Sequence, residues 1–175
     1  SFIQKRKQYW SKFGNSDLFN VGYEDIFTHY PAEHSVNIII VQDTLHHLEP
    51  IGDALQIFKK VLKPNGILIG IEENGDNIIQ NLKLYKQRGN RRVITFWDEQ
   101  LQKTITMGNE NIRGLDHWSS LFSENGMKMD ESRTQFIRLL PPFLYSGKTA
   151  AEMALREQRL ANNFLKRYFF FGINF

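Results

Sequence analysis

The stretch from Val36 to Asn74 constrains the fold of this chain more than any other segment. It opens with a nearly continuous run of β-branched and apolar residues from Val36 to Val41, which is typical of a strand covered on both faces of a parallel sheet. A helical pattern follows Pro50 and ends at Lys63-Pro64-Asn65-Gly66, because proline cannot continue a helix and Asn-Gly favours a sharp turn. A second apolar run, Ile67 to Ile71, completes a predicted strand–helix–strand unit.

Composition narrows the class of protein. A chain of 175 residues favours one domain. The net charge of +3 is a mild basic excess and not a nucleic-acid signature, because phosphate binders usually cluster their lysines and arginines. The chain contains no cysteine, which excludes disulfides and thiolate metal sites. No apolar run approaches the ~20 residues of a membrane span, and no secretory signal opens the chain, so a cytoplasmic location is the expectation.

Periodicity predicts further elements on both sides of this unit. They are a helix over residues 2–13, a short strand over 17–23, a helix from Ile78 to Tyr85, a helix with Asp116 as its N-cap and Gly126 just past its end, a strand over 127–140, a helix that a Thr149–Glu152 capping box opens and that runs to Lys166, and a strand over 168–171.

Polar residues follow three of the predicted strands. They are Glu24 and Asp25, then Gln42, Asp43, Thr44, His46 and His47, and finally Glu72, Glu73 and Asn74. Open α/β sheets bind ligands at the carboxyl ends of their strands, and parallel strands would bring at least the second and third groups together. The simpler interpretation is that strand ends meet solvent and are polar for that reason.

Leu45-His46-His47-Leu48, Ala54-Leu55 and Val61-Leu62-Lys63-Pro64-Asn65-Gly66 together resemble the fourth strand and following helix of class I S-adenosylmethionine-dependent methyltransferases. FNVGYEDIF upstream, and WSSLFSENGMKM and RYFFFGINF downstream, are similar to other parts of that family. Asn65 and Asn37 depart from the Gly and Asp that the family prefers. The resemblance implies an α/β fold, with a Rossmann-like, mostly parallel sheet, helices on both faces and an antiparallel C-terminal strand.

The same resemblance implies S-adenosyl-L-methionine as the cofactor. Asp25 would accept a hydrogen bond from the adenine amino group, and Ile26 would pack on the ring. Glu24, Gln42 and Asp43 would line the same cofactor site.

For the substrate, the candidate catalytic residue is His46 as a general base, and the alternative is that His46 and His47 are a structural signature of the pocket. His47, Glu72, Glu73 and Arg88 are candidate substrate-binding residues. The alternatives are a helix-terminal turn for the two glutamates and a solvated basic face for the arginine. No metal site is expected, because adjacent histidines rarely ligate one metal and no carboxylate–histidine spacing completes a set.

The resemblance places Ser1 just after the second strand of the family fold, and the chain contains no Gly-x-Gly. The expectation is therefore one methyltransferase-like domain over residues 1–175 that lacks its N-terminal strands and binds the cofactor poorly by itself. Residues 88–114 and 141–166 would be variable substrate or cap elements. The strand Val36–Val41 would have an open edge, covered by self-pairing in a homo-oligomer, by a partner chain or by the missing N-terminal segment.

The sequence therefore predicts a methyltransferase that acts on a small molecule. Nucleic acid and membrane are not expected partners. Two alternatives remain open: a non-catalytic methyltransferase-like interaction module, and another nucleotide-binding enzyme of the Rossmann type.

Overall fold

The computed structural model describes residues 2–18, 20–135, 137 and 146–161, and the chain divides into two compact units. The first unit, residues 1–30, contains helix α1 (Phe2–Trp10) and a 3-10 turn at Ser16–Leu18. Helix α1 confirms the predicted N-terminal helix. The predicted strand over 17–23 is wrong for its described residues, because the Asn15 side chain accepts a hydrogen bond from the Asp17 amide and favours a local turn.

The second unit, residues 31–175, contains the predicted strand–helix–strand unit. Strand β1 (Val36–Gln42) leads through a loop to helix α2 (Ile51–Val61), and strand β2 (Leu62–Ile71) then pairs with β1 in parallel. One face of α2 supplies much of the buried core, as its apolar spacing predicts. Its buried residues are Ile51, Ala54, Leu55, Phe58 and Val61. The parallel pair with its crossover helix confirms the α/β class.

The Lys-Pro-Asn-Gly turn lies inside β2 as a bulge. The partner of β1 jumps from Leu62 to Ile67 while β1 advances only from Val36 to Ile38. Asn65 has φ 64°, a left-handed conformation that asparagine tolerates better than most residues. A Cβ on Gly66 would lie 2.9 Å from the Lys63 carbonyl oxygen, so a side chain does not fit at this glycine.

A helix and a two-stranded hairpin follow β2 in the chain. Helix α3 (Ile78–Arg88) confirms the predicted helix, and the Asn77 side chain caps it by accepting from the Gln80 amide. Strands β3 (Val93–Asp98) and β4 (Lys103–Gly108) then form an antiparallel hairpin, which the sequence analysis did not predict. This hairpin is a sheet of its own among the described residues, and it occupies much of the segment 88–114.

Two predictions for the C-terminal part of the chain are wrong. Helix α4 (Leu115–Glu124) has Gly114 as its N-cap, so Asp116 lies in the first turn and not at the cap; Gly126 ends the helix with φ 68°, as predicted. The predicted strand over 127–140 is wrong for residues 127–135, where Asp130 accepts from the amide and hydroxyl of Ser132 and a 3-10 turn forms.

Helix α5 (Ala150–Ala161) begins after the predicted capping box, in which Thr149 and Glu152 bond each other reciprocally. The rest of the predicted helix to Lys166 and the predicted strand over 168–171 lie outside the described residues. Over the described part of the chain, no helix combines the length and apolar character needed to cross a bilayer.

One face of the β1–β2 sheet is exposed and apolar. Among the described residues β1 pairs only with β2, and the register places two exposed isoleucines of β1 beside two of β2 on the same face. These residues are Ile38, Ile40, Ile67 and Ile69. The expectation that self-pairing, a partner chain or another segment covers the open edge of β1 stays a prediction.

Neighbouring strand positions offer a test of this exposure. Ile40 is 70 % exposed and Val41 is 8 % exposed. We expect Ile40→Thr to change the free energy of unfolding by less than about 0.5 kcal/mol. Val41→Thr, which buries a hydroxyl without adding bulk, should cost roughly 1–3 kcal/mol in urea titrations. Equal losses for the two variants would mean that the isoleucine face is covered in solution.

Candidate functional site

The buried carboxylate of Glu72 organises the loop that follows β1. Its Oε1 accepts hydrogen bonds from the backbone amides of Thr44 (2.9 Å) and Leu45 (2.6 Å), and its Oε2 lies 2.6 Å from His46 Nδ1. Glu72 is 2 % exposed, and α3 begins only at Ile78, so Glu72 is not in a helix-terminal turn. Three donors on one carboxylate indicate that it is ionised and that the His46 proton lies on Nδ1.

The two histidines lie in a 3-10 turn, Leu45–His47, with their ring centroids 4.2 Å apart. His46 is 2 % exposed. Burial is the largest influence on its pKa and lowers it, but the hydrogen bond to Glu72 and the charges of Glu72, Glu110 and Glu73 together outweigh burial. The pKa of His46 is therefore raised above its ordinary value, and the site favours positive charge at this ring.

The end of strand β4 completes the cluster. His47 Nδ1 lies 2.9 Å from the Gly108 carbonyl oxygen, so Nδ1–H donates to it. The carboxylate of Glu110 faces both rings, with 3.6 Å from Oε2 to His46 Nε2 and 3.9 Å from Oε1 to His47 Nε2. A Cβ on Gly108 would collide with the His46 carbonyl oxygen, so only glycine permits this approach of β4.

Arg88, a predicted substrate-binding residue, lies at the edge of this cluster. Its NH2 donates to the Glu110 carbonyl oxygen (3.1 Å) and its NH1 to that of Gly89 (3.2 Å). Burial is the main influence that lowers the pKa of Arg88, and the charge of Arg92 adds to it. The arginine thus holds the backbone at Glu110, and the interpretation of Arg88 as part of a wholly solvated basic face is wrong.

A second buried ion pair lies beyond the histidines. Arg113 NH2 donates to Glu49 Oε1 at 2.5 Å, and the Asn111 side chain donates to the same oxygen. The Arg113 guanidinium also lies 5.2 Å from the ring centroid of Trp118, the largest fully buried side chain among the described residues. These contacts tie the segment after β4 to the loop before α2.

A cavity of about 560 Å³ lies beside β2 and α4. Its wall is mostly apolar, with Leu68, Trp118, Phe122 and Met127 among the lining residues, and Glu72 also reaches it. The Trp118 Nε1–H is buried and has no acceptor among the described residues. A cavity of this size with a few polar groups is typical of small-molecule sites.

The structure brings the second and third predicted polar groups together. The Asp43 amide donates to the Ile71 carbonyl oxygen (2.7 Å), which places the exposed Gln42 and the half-buried Asp43 beside the end of β2. Glu73 accepts from the Gln80 side chain at the start of α3. The roles assigned to these residues, and to His46, His47 and Glu72, in binding or catalysis stay predictions.

The adenine-site candidates belong to the first unit. Asp25 begins a turn in which its Oδ1 accepts from the Phe27 amide (2.9 Å) and its carbonyl oxygen from the Thr28 and His29 amides. Ile26 is half-buried and Glu24 is exposed. The assignment of these three residues to a cofactor stays a prediction.

Sequence patterns do not indicate Glu110, Glu49 or Arg113 as members of these clusters. Glu110 lies 63 positions after His47 in a loop without helical or strand periodicity, so no spacing connects the two. Its left-handed φ of 52° is unusual for a residue with a side chain, but it is a property of the fold and not of the sequence.

A family model matches part of the chain. Residues 5–70, from α1 to near the end of β2, match the model of a family described as a methyltransferase domain. The match covers less than half of the chain and supports the resemblance to class I methyltransferases. No curated protein and no solved structure matches the chain.

Proposed function

We propose that this protein is an S-adenosyl-L-methionine-dependent methyltransferase that methylates a small molecule. The observation that carries the proposal is the methyltransferase-domain match over residues 5–70, which ends at the strand whose following residues organise the candidate site. The clustering of polar groups at the ends of β1 and β2 supports it, because open α/β sheets bind ligands there.

The described residues fit part of such a cofactor. Asp25 and Ile26 are half-buried, so each keeps some exposed surface that an adenine ring could contact. In the second unit, Gln42 is exposed and Asp43 half-buried at the end of β1, and open α/β sheets bind ligands at such strand ends. When bound, S-adenosyl-L-methionine supplies an electrophilic methyl group on a sulfonium.

The chain's own residues would then bind and orient the acceptor. Alignment of nucleophile and methyl group can supply much of the rate enhancement of a transfer reaction. A base helps when the acceptor is a hydroxyl or an amine, and His46 is the candidate. Its Nδ1 holds its proton on Glu72, so the atom that would take a proton is Nε2.

A small molecule is the favoured class of acceptor. The cavity beside Trp118 has the volume of a small-molecule site. Arg88 and Arg91 line a second cavity of about 390 Å³, where a negatively charged group could bind, and Arg88 also bonds backbone oxygens.

Transfer of a radiolabelled methyl group tests the proposal. The protein expressed from its whole reading frame is incubated with methyl-labelled S-adenosyl-L-methionine and with pooled carboxylates, phenols, amines and sugars, and in parallel with RNA and with protein. We expect label in a small-molecule pool. Label only in RNA or protein would contradict the acceptor class, and the absence of both labelling and S-adenosylhomocysteine binding would contradict the function.

The cofactor assignment makes a separate prediction at Asp25. We expect Asp25→Ala to weaken S-adenosylhomocysteine binding about 10-fold in isothermal titration of the same protein, because a charge-assisted hydrogen bond is worth about 1.5–3 kcal/mol. Asp17→Ala, an exposed aspartate of the same unit, is the control and should bind normally. Equal affinities for the two variants would remove Asp25 from the cofactor site.

One observation favours the alternative function, a non-catalytic methyltransferase-like interaction module. The sheet face formed by Ile38, Ile40, Ile67 and Ile69 is exposed, and exposed apolar patches often mark association surfaces. Cofactor binding separates the two functions, since a module of this kind does not require it.

A further inference from the structure

We propose that His46, His47 and Glu110 form a binding site for a borderline divalent transition-metal ion such as Zn²⁺. One ligand atom from each of these three residues lies within 4.8 Å of the other two. The inference does not depend on methyl transfer, and an ion bound at His46 Nε2 would replace the general-base role proposed for that atom. It departs from the sequence-based expectation of no metal site, because the fold supplies the carboxylate that the local sequence lacks.

The protons on the two rings are the first argument. His46 Nδ1–H donates to Glu72, and His47 Nδ1–H donates to the Gly108 carbonyl oxygen. Each acceptor can only accept, so both neutral rings carry their proton on Nδ1 and present a lone pair at Nε2. Metal-ligating histidines characteristically donate their other ring N–H to a carboxylate or a backbone carbonyl in this way.

The second argument is the gap between the three side chains. Both Nε2 atoms face the Glu110 carboxylate, at 3.6 Å for His46 and 3.9 Å for His47. These separations are too long for hydrogen bonds. Ligands on one tetrahedral ion with bonds of about 2.1 Å lie about 3.4 Å apart. The three ligand atoms lie within 4.8 Å of one another, so an ion would draw the most separated pair together by up to about 1.4 Å.

Electrostatics supports a cation at this position. Two lone pairs and a carboxylate that converge repel one another unless a positive charge lies between them. Glu72 and Glu73 add negative charge around His46, while the guanidinium of Arg88 bonds the Glu110 backbone and opposes it.

The types of ligand atom and their exposure to solvent indicate which ion can bind. Two imidazoles and one carboxylate suit Zn²⁺ and similar transition metals, whereas Mg²⁺ and Ca²⁺ prefer all-oxygen sites. The side chains of His47 and Glu110 are about one third exposed, at 32 % and 38 %, so an ion can enter from solvent. With three protein ligands, a fourth position remains for water or an acceptor oxygen.

Metal titration of the full 175-residue chain, stripped with a chelator, tests the site. We expect one Zn²⁺ per chain by isothermal titration, a visible Co²⁺ ligand-field spectrum, and at least about 10-fold weaker Mg²⁺ binding. His47→Ala and Glu110→Gln should each weaken Zn²⁺ binding by about 100-fold or more, since loss of outer-shell partners alone costs about 10–100-fold.

The matched controls are His117→Ala and Glu124→Gln, an exposed histidine and an exposed glutamate of α4, which should bind Zn²⁺ like the unaltered chain. Circular dichroism and urea midpoints establish that each variant is folded, and Glu110→Gln retains the test if His47→Ala does not fold. Absence of Zn²⁺ binding, unchanged affinity in folded Glu110→Gln, equal loss in the controls, or equal affinity for Mg²⁺ would each overturn the proposal.

Discussion

Replacing Glu72 with glutamine is expected to lower the free energy of unfolding by about 3 kcal/mol. The carboxylate is 2 % exposed and accepts from two backbone amides and from His46. An amide offers one acceptor oxygen and places an NH2 group against His46 Nδ1, so His46 either keeps a buried N–H without an acceptor or must move its proton to Nε2, and the charge-assisted hydrogen bonds are lost in both cases. Urea unfolding followed by circular dichroism measures the loss.

The neighbouring glutamate provides the control for this variant. Glu73 is half-buried, and its side chain accepts a hydrogen bond from Gln80, which a glutamine oxygen at this position can also accept. We expect Glu73→Gln to cost less than about 0.5 kcal/mol. A Glu72→Gln protein as stable as Glu73→Gln would contradict the role of Glu72 as the organiser of the loop after β1.

Truncation of Leu55 to alanine should cost roughly 2–5 kcal/mol. Leu55 lies on the inner face of α2, is completely buried, and belongs to the core that covers the β1–β2 sheet. Its removal deletes buried methyl groups and leaves a cavity that a helix fixed at both ends closes only in part. The measurement is again the urea midpoint together with the slope of the transition.

Leu82 on α3 is the matched leucine, because it is also helical but 65 % exposed. We expect Leu82→Ala to change the free energy of unfolding by less than about 0.5 kcal/mol, since alanine has the better helix propensity and little apolar area is lost. Similar losses for the two leucines would contradict the burial of α2 against the sheet.

The parts of the fold that the sequence predicted are those with strong local periodicity. Local periodicity predicts the secondary structure of the run Val36–Val41, of α2 with its apolar face, and of the run Ile67–Ile71. Short connections then leave few ways to pair the strands. The strand predicted over 127–140 is wrong over residues 127–135, because apolar residues there lack strict alternation and the Asp130 side chain competes for the backbone amides.

The candidate site divides in the same way. The sequence placed His46, His47, Glu72 and Glu73 at neighbouring strand ends, and the parallel pairing of β1 with β2 confirmed that they come together. Sequence patterns did not distinguish Glu72 from Glu73. Only burial separates the two. Consecutive side chains of an extended segment point to opposite sides, so the Glu72 carboxylate enters the core and the Glu73 carboxylate lies near α3.

By itself, the sequence determined that the chain contains a strand–helix–strand unit, because periodicity and turn chemistry act over a few residues. Tertiary structure decided which carboxylates act on the histidines. Glu110 reaches them through the β3–β4 hairpin, and Gly108 allows the backbone of β4 to approach His46. Those contacts join residues more than 60 positions apart, and local sequence patterns do not specify such a distance.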